Sequence, residues 1–185
     1  MTQDAQPVSV AVLCPGPSLQ RYKPGDHAVT IGVNRAPLCL DGHGVKVDWW
    51  AFIDDVCFPR WRPSYKPKLF TTRGSVRRIE KAGHNDDLRK HHLLLTEDVP
   101  APDNTGAYVY TKTAAIRLAV HLGAQYIDVY GDDRTDEPDV DGWSESIRGR
   151  NDARWKTEGE ITDRLAKWVC DRGVTYRRVV PVGVA

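Results

Sequence analysis

A chain of 185 residues, 41% of them hydrophobic and 28% charged, is long enough for one domain with a real core, so a soluble globular protein is the starting expectation. The formal net charge of +1 supplies no global field toward nucleic acid or membrane, and nucleic acid begins as an unfavoured partner although local patches can still act. The cysteines Cys14, Cys39, Cys57 and Cys170 lie far apart, without the C-x-x-C pairs of a zinc site or the density of a disulfide scaffold, and are expected to be reduced and structural.

The polar run 1–6 has no apolar segment, so it reads as neither signal peptide nor anchor, and no later stretch is long enough to span a bilayer. A disordered N-terminus over 1–7, one domain over 8–185, a cytoplasmic location and no membrane partner are the expectations. Residues 8–13 (VSVAVL) form a small and branched apolar run, as a strand buried on both faces should. The turn Pro15-Gly16-Pro17-Ser18 follows. Ser18 is expected to cap a short helical turn through Tyr22, which Lys23-Pro24-Gly25-Asp26 stops.

Further strands are expected in 27–34 (HAVTIGVN), 47–54 (VDWWAFID), 66–72 (KPKLFTT) and 91–98 (HHLLLTED). Over 107–122, Val109, Ile116, Ala119 and Val120 fall near helical spacing, with Thr105 suited to the N-cap and Gly123 to the C′ position. A strand in 125–131 (QYIDVYG), an amphipathic helix over 151–173 with Ile161, Leu165, Trp168 and Val169 inward, and a strand in 174–180 complete the chain. Strands alternating with helices predict an α/β fold with a doubly wound, mostly parallel sheet.

In such sheets ligands bind at the carboxyl ends of the strands, where a glycine turn lets backbone N–H groups approach an anion. Gly16 leaves space for that approach, Pro15 and Pro17 fix φ, and Ser18 offers a hydroxyl and an N–H. The plainer alternative is a rigid turn capped by serine.

The order of "CPGPSL", "TIGVNRA", "VDWWAFID" and "NTGAYVYTKTAAIRLAVHLGAQYIDVYGDD" resembles the Rossmann-like group containing bacterial CMP-sialic-acid sialyltransferases. It also resembles archaeal hydroxymethylpterin pyrophosphokinase-like proteins and uncharacterised phage and bacterial relatives. The resemblance implies that Gly16, Pro17, Ser18 and Asn34 line a nucleotide site, that Thr105 and Gly106 face the donor, and that Asp133 matches the acid after the following strand. In two places the chain departs from the sialyltransferase pattern. Pro15 stands at the loop asparagine, and the C-terminal general-base histidine has no counterpart near "RNDARWKTE".

Read as chemistry, Asn34 at a strand end could pair with a base or ribose, or close its own turn. Asp54 and Asp55 could hold Mg²⁺ against phosphates or supply a base, or else cap a helix. The acidic segment 131–142 lacks calcium-loop spacing and reads as solvated, with Asp133 the exception at a strand's carboxyl end. Arg154 and Lys156, with Arg148, Arg150 and Trp155 nearby, could neutralise a diphosphate; alternatively they form a solvated helix face around a packed tryptophan. Arg60, Arg62, Arg73, Arg77 and Arg78, with Trp61 and Tyr65, form a second basic-aromatic region. It is a candidate acceptor surface, single-stranded nucleic acid included, or a mobile surface loop. His84, His91, His92 and His121 follow no metal spacing.

Three functions fit these residues. The first is a transferase with a nucleotide-activated donor, a nucleotide sugar above all, with Asp133 or Asp55 as base. The second is a Mg²⁺-dependent diphosphotransferase using Asp54 and Asp55 as metal ligands. The third is a module that binds or sequesters a nucleotide without turnover. The donor would be a small-molecule nucleotide, the acceptor is open, and a homo-oligomer is compatible with all three.

Overall fold

Small and branched side chains at every position of β1 (Ser9–Leu13) leave neither face polar, and the strand lies inside the sheet with Val10, Ala11, Val12 and Leu13 fully buried. The computed structural model describes residues 7–101, 110–134, 138–142 and 152–180. The expected disordered segment 1–7 lies, apart from Pro7, outside the described residues. Around β1 stand β2 (Val29–Val33), β3 (Trp49–Ala51), β4 (Lys68–Thr71), β5 (Leu93–Leu95), β6 (Tyr126–Tyr130) and β7 (Thr175–Arg178). They form one sheet in the order β5-β4-β3-β2-β1-β6-β7, and all six pairings are parallel, where a mostly parallel sheet was expected.

Side-chain alternation splits the core in two. Val10, Val12, Ala51, Phe70 and Val129 point to the face covered by α5 (Thr111–His121) and α6 (Asp152–Cys170). Leu13, Trp50, Phe52 and Leu69 point to the other face. There they meet the 3₁₀ turn Pro17–Arg21 and the short helices α1 (Ala36–Asp41), α2 (Cys57–Arg60), α3 (Arg73–Lys81) and α4 (Asn85–Leu88). The fold is therefore a doubly wound, Rossmann-like α/β domain. Its topological switch point lies between β1 and β6, because the chain builds outward from β1 through β5 and then crosses to β6 on the opposite side.

Three elements differ from expectation. The basic stretch 73–81 is a helix, not a loop: the Thr72 hydroxyl caps it by accepting the Ser75 N–H, and Ile79 anchors it in the core. Helix α1 begins at Ala36 with Pro37 in its first turn, where the missing N–H costs nothing. The turn Pro17–Arg21 has Gly16 as its N-cap with no side-chain cap, so Ser18 is not the capping residue. At the far end of α5, Gly123 adopts φ +82°, the left-handed C′ conformation expected of it. Among the described residues no helix is long and apolar enough to cross a membrane.

Candidate active site

The carboxyl ends of β1 and β6 are tied together by their own loops. Gly16 N–H donates to the Gly131 carbonyl (3.1 Å) and Gly131 N–H to Ser18 Oγ (2.8 Å), while Ser18 N–H donates to Asp133 Oδ2 (2.7 Å). Gly16 sits at φ −67°, ψ 171°, an extended conformation open to any residue, so its lack of a side chain serves close approach and not backbone freedom. A Cβ there would stand 2.5 Å from the Gly131 oxygen and 2.8 Å from Asp133 Oδ2. Gly131 needs glycine twice over, with φ +71° and the Cys14 carbonyl where its Cβ would fall. In this arrangement the N–H groups of Gly16, Ser18 and Leu19 are all engaged within the protein, and Pro17 has none.

Beneath these loops lies a buried polar cluster. Lys112, in the first turn of α5 and only 4% exposed, donates to Asp132 Oδ1 (2.6 Å) and to Glu158 Oε1 on α6 (3.3 Å). Asp132 Oδ2 is buried with no hydrogen-bond partner, and Arg134 Nε lies 3.7 Å from it. The Arg134 guanidinium rests against Gly159, where a Cβ would come within 2.9 Å of Nη1. Asp133 Oδ1 and the Tyr176 hydroxyl are likewise buried without hydrogen-bond partners. Burial, then the charge of Asp132, pushes the Cys14 thiol and the Tyr176 phenol well above their ordinary pKa values. Cys14 is thus held as a thiol, not a nucleophilic thiolate, and Tyr176 remains a hydrogen-bond donor. Cys57, buried beside Asp54 and Asp55, is pushed up to about 12 and is equally inert.

The other expected residues are spread along the same edge. Asn34 closes β2 at φ +50°; its carbonyl accepts the Trp50 indole N–H (2.7 Å) and its N–H donates to the Ala51 carbonyl (2.9 Å). Asp55 accepts Arg78 Nε (2.6 Å), and Asp54 is exposed ahead of α2, its carbonyl accepting Cys57 N–H. Three strand spacings separate β3 from β6, roughly 14 Å, so Asp55 and Asp133 belong to different parts of the edge. Lys156 is exposed on α6. Thr105, Gly106, Arg148 and Arg150 lie outside the described residues, as does the side chain of Arg154. A cavity of about 250 Å³ opens beside the turn Pro17–Arg21, walled by Leu19, Tyr22, Cys39, Leu40, Val45 and Val140.

No motif in the local sequence around Lys112 and Glu158 marks them as site residues, and Asp132 reads there as part of a solvated loop. A signal existed: Lys112 lies between two threonines ahead of Ala-Ala-Ile, in a helix buried from 111 to 119. A lysine so placed needs a carboxylate. Among the described residues no group of three or more His, Cys, Asp or Glu side chains is placed to hold a metal ion by itself.

No family model and no curated protein matches the chain. Solved structures similar to it include two pyrophosphokinases. Thiamine pyrophosphokinase from Bacillus subtilis is 14% identical with a TM-score of 0.45, over 92% of this chain and 59% of that one. Thiamin pyrophosphokinase from Geobacillus thermodenitrificans is 13% identical with a TM-score of 0.43, over 93% and 59%. The chain thus spans 59% of the length of each neighbour, and a likeness this distant contributes nothing to the chemical argument.

Proposed function

We propose that the chain is a transferase that binds a nucleotide at the β1–β6 crevice and moves a phosphoryl or diphosphoryl group from it with Mg²⁺. The observation that carries this reading is the charge of the crevice. Among the described residues Asp132 and Glu158 pair with Lys112, Asp132 also lies near Arg134, and Asp133 accepts the Ser18 N–H, so three carboxylates stand against two cations and a polyphosphate needs a further cation to enter. The unpartnered oxygens Asp132 Oδ2 and Asp133 Oδ1 suit a hard ion, and Mg²⁺ commonly takes one or two carboxylates and fills its sphere with phosphate oxygens and water. When bound, Mg²⁺ neutralises charge developing on the transferred group.

The residues of the chain do the rest. Lys112 is fixed beside the crevice by its ion pairs with two carboxylates, and Arg134 adds a guanidinium on the other side. Ser18 and Gly16 set the wall against which the phosphates lie. The cavity beside Leu19 offers apolar surface to a base. Asp54 and Asp55 fall outside this assignment, since Asp55 is committed to Arg78.

A melting-temperature panel with ATP, ADP, CMP, UDP and nucleotide sugars, each with and without Mg²⁺, tests the reading. Stabilisation by ATP only when Mg²⁺ is present is the expected result. Stabilisation by a nucleotide sugar or CMP without metal would replace it with glycosyl transfer, the function the order of motifs points to. No shift with any nucleotide would refute both.

A further inference from the structure

Near-neutral charge conceals a strong asymmetry. Between Arg60 and Lys90 there are ten lysines and arginines against three acidic residues, a net of +7 that leaves −6 on the rest of the chain. The fold gathers this segment on one side. Helices α2, α3 and α4 pack together over Trp50, Phe52 and Leu69 on the sheet face opposite α5 and α6, with the cations of α2 and α3 outward, Arg89 and Lys90 exposed just after α4, and α4 itself contributing Asp86 and Asp87. Part of that charge is cancelled locally: Arg78 pairs with Asp55, and Arg62 and Lys90 share Asp87.

Arg77, Lys81 and Arg89 are exposed and make no ion pair among the described residues. On α3, Arg73, Arg77 and Lys81 recur every fourth residue, opposite the buried Ser75 and Ile79, which sets cations about 6 Å apart in a line along the helix. Trp61 lies half-buried at the border of this surface, between Arg60 and Arg62. A regular row of exposed cations beside an aromatic ring, with the Glu97 carboxylate only at its Arg73 end, matches a regular row of anions carrying flat, unpaired bases.

We infer that the outer surface of α2, α3 and α4 binds single-stranded nucleic acid, with Arg73, Arg77, Lys81 and Arg89 on the phosphates and Trp61 against a base. This surface is distinct from the β1–β6 crevice and does not depend on the function proposed there.

Fluorescence anisotropy of the full chain with a labelled thymidylate 20-mer tests it. Binding at 50 mM salt should weaken with rising salt, with a log–log slope of about −0.7 per phosphate neutralised. The triple variant Arg77→Glu/Lys81→Glu/Arg89→Glu should bind at least tenfold more weakly with an unchanged melting temperature. The control Arg164→Glu/Lys167→Glu, on exposed positions of α6, should stay within twofold of wild type. Three results would overturn the inference: no binding at 50 mM salt, equal binding by wild type and triple variant, or binding of heparin or phosphatidylserine vesicles without the oligonucleotide.

Discussion

Lys112 is the residue on which the crevice turns. Its ammonium sits between Asp132 and Glu158 with almost no access to water, so replacing it with methionine strands two carboxylates in a low-dielectric site. Lys112→Met should lose about 3–5 kcal/mol of stability in urea unfolding, the range for breaking one side of a buried ion pair. Lys112→Arg should recover part of that loss. Gly16 and Gly131 act by their smallness. Gly131→Ala adds a methyl group into the Cys14 carbonyl at a left-handed φ, and should cost more than Gly16→Ala, which at about 1–3 kcal/mol meets only overpacking. Equal losses in denaturant titrations would contradict the close approach of the two loops. Asn34, Asp55 and Asp133 show how far residue types alone can lead. Their chemistry was legible, but that Asp55 is claimed by Arg78, and Asp133 by the Ser18 amide, depends on contacts 23 and 115 residues apart in sequence.

Among the elements, β6 joins stability to site. Asp128 at its centre accepts both ends of the Arg177 guanidinium (2.8 and 2.6 Å) and pairs with His27 (3.0 Å). Burial alone would raise its carboxyl pKa, and these hydrogen bonds outweigh it and hold the group below the usual aspartate value. A depressed folded-state pKa stabilises the fold fully above the unfolded pKa, and that contribution is lost as pH falls through the folded value. Asp128→Asn should therefore cost about 1–2 kcal/mol at pH 7, and the gap to wild type should close in acid, as followed by urea unfolding across pH. A gap independent of pH would contradict the ion pair. The apolar runs and turn glycines made the central strands and the two long helices readable, because each buries a continuous apolar face, whereas β7 (TYRR) was placed by its position after α6. Helix α3 was not readable in the same way. Of its residues only Val76 and Ile79 are apolar, and its identity rests on the Thr72 cap and on packing against distant strands.

At the scale of the molecule, sheet order decides where chemistry can happen. With β1 central and β6 crossing to its far side, the loops after these two strands meet at the switch point of the sheet, and the buried cluster of Lys112, Asp132 and Glu158 lies beneath them. Alternation of strands and helices foretold a doubly wound sheet. It could not say that α5 would bring a lysine under the β6 loop, since that follows from the crossover and not from any local pattern. The same sheet separates the charges, with the cations of α2 and α3 and those just after α4 on the face away from α5 and α6. The measurement that bears most directly on the proposed crevice is calorimetric titration of Mg·ATP into wild type, Asp133→Asn and Asp55→Asn. Asparagine at 133 keeps an acceptor for the Ser18 amide while removing the charge. We predict about tenfold weaker binding for Asp133→Asn and unchanged binding for Asp55→Asn; the reverse order would move the nucleotide to the end of β3 and contradict the assignment.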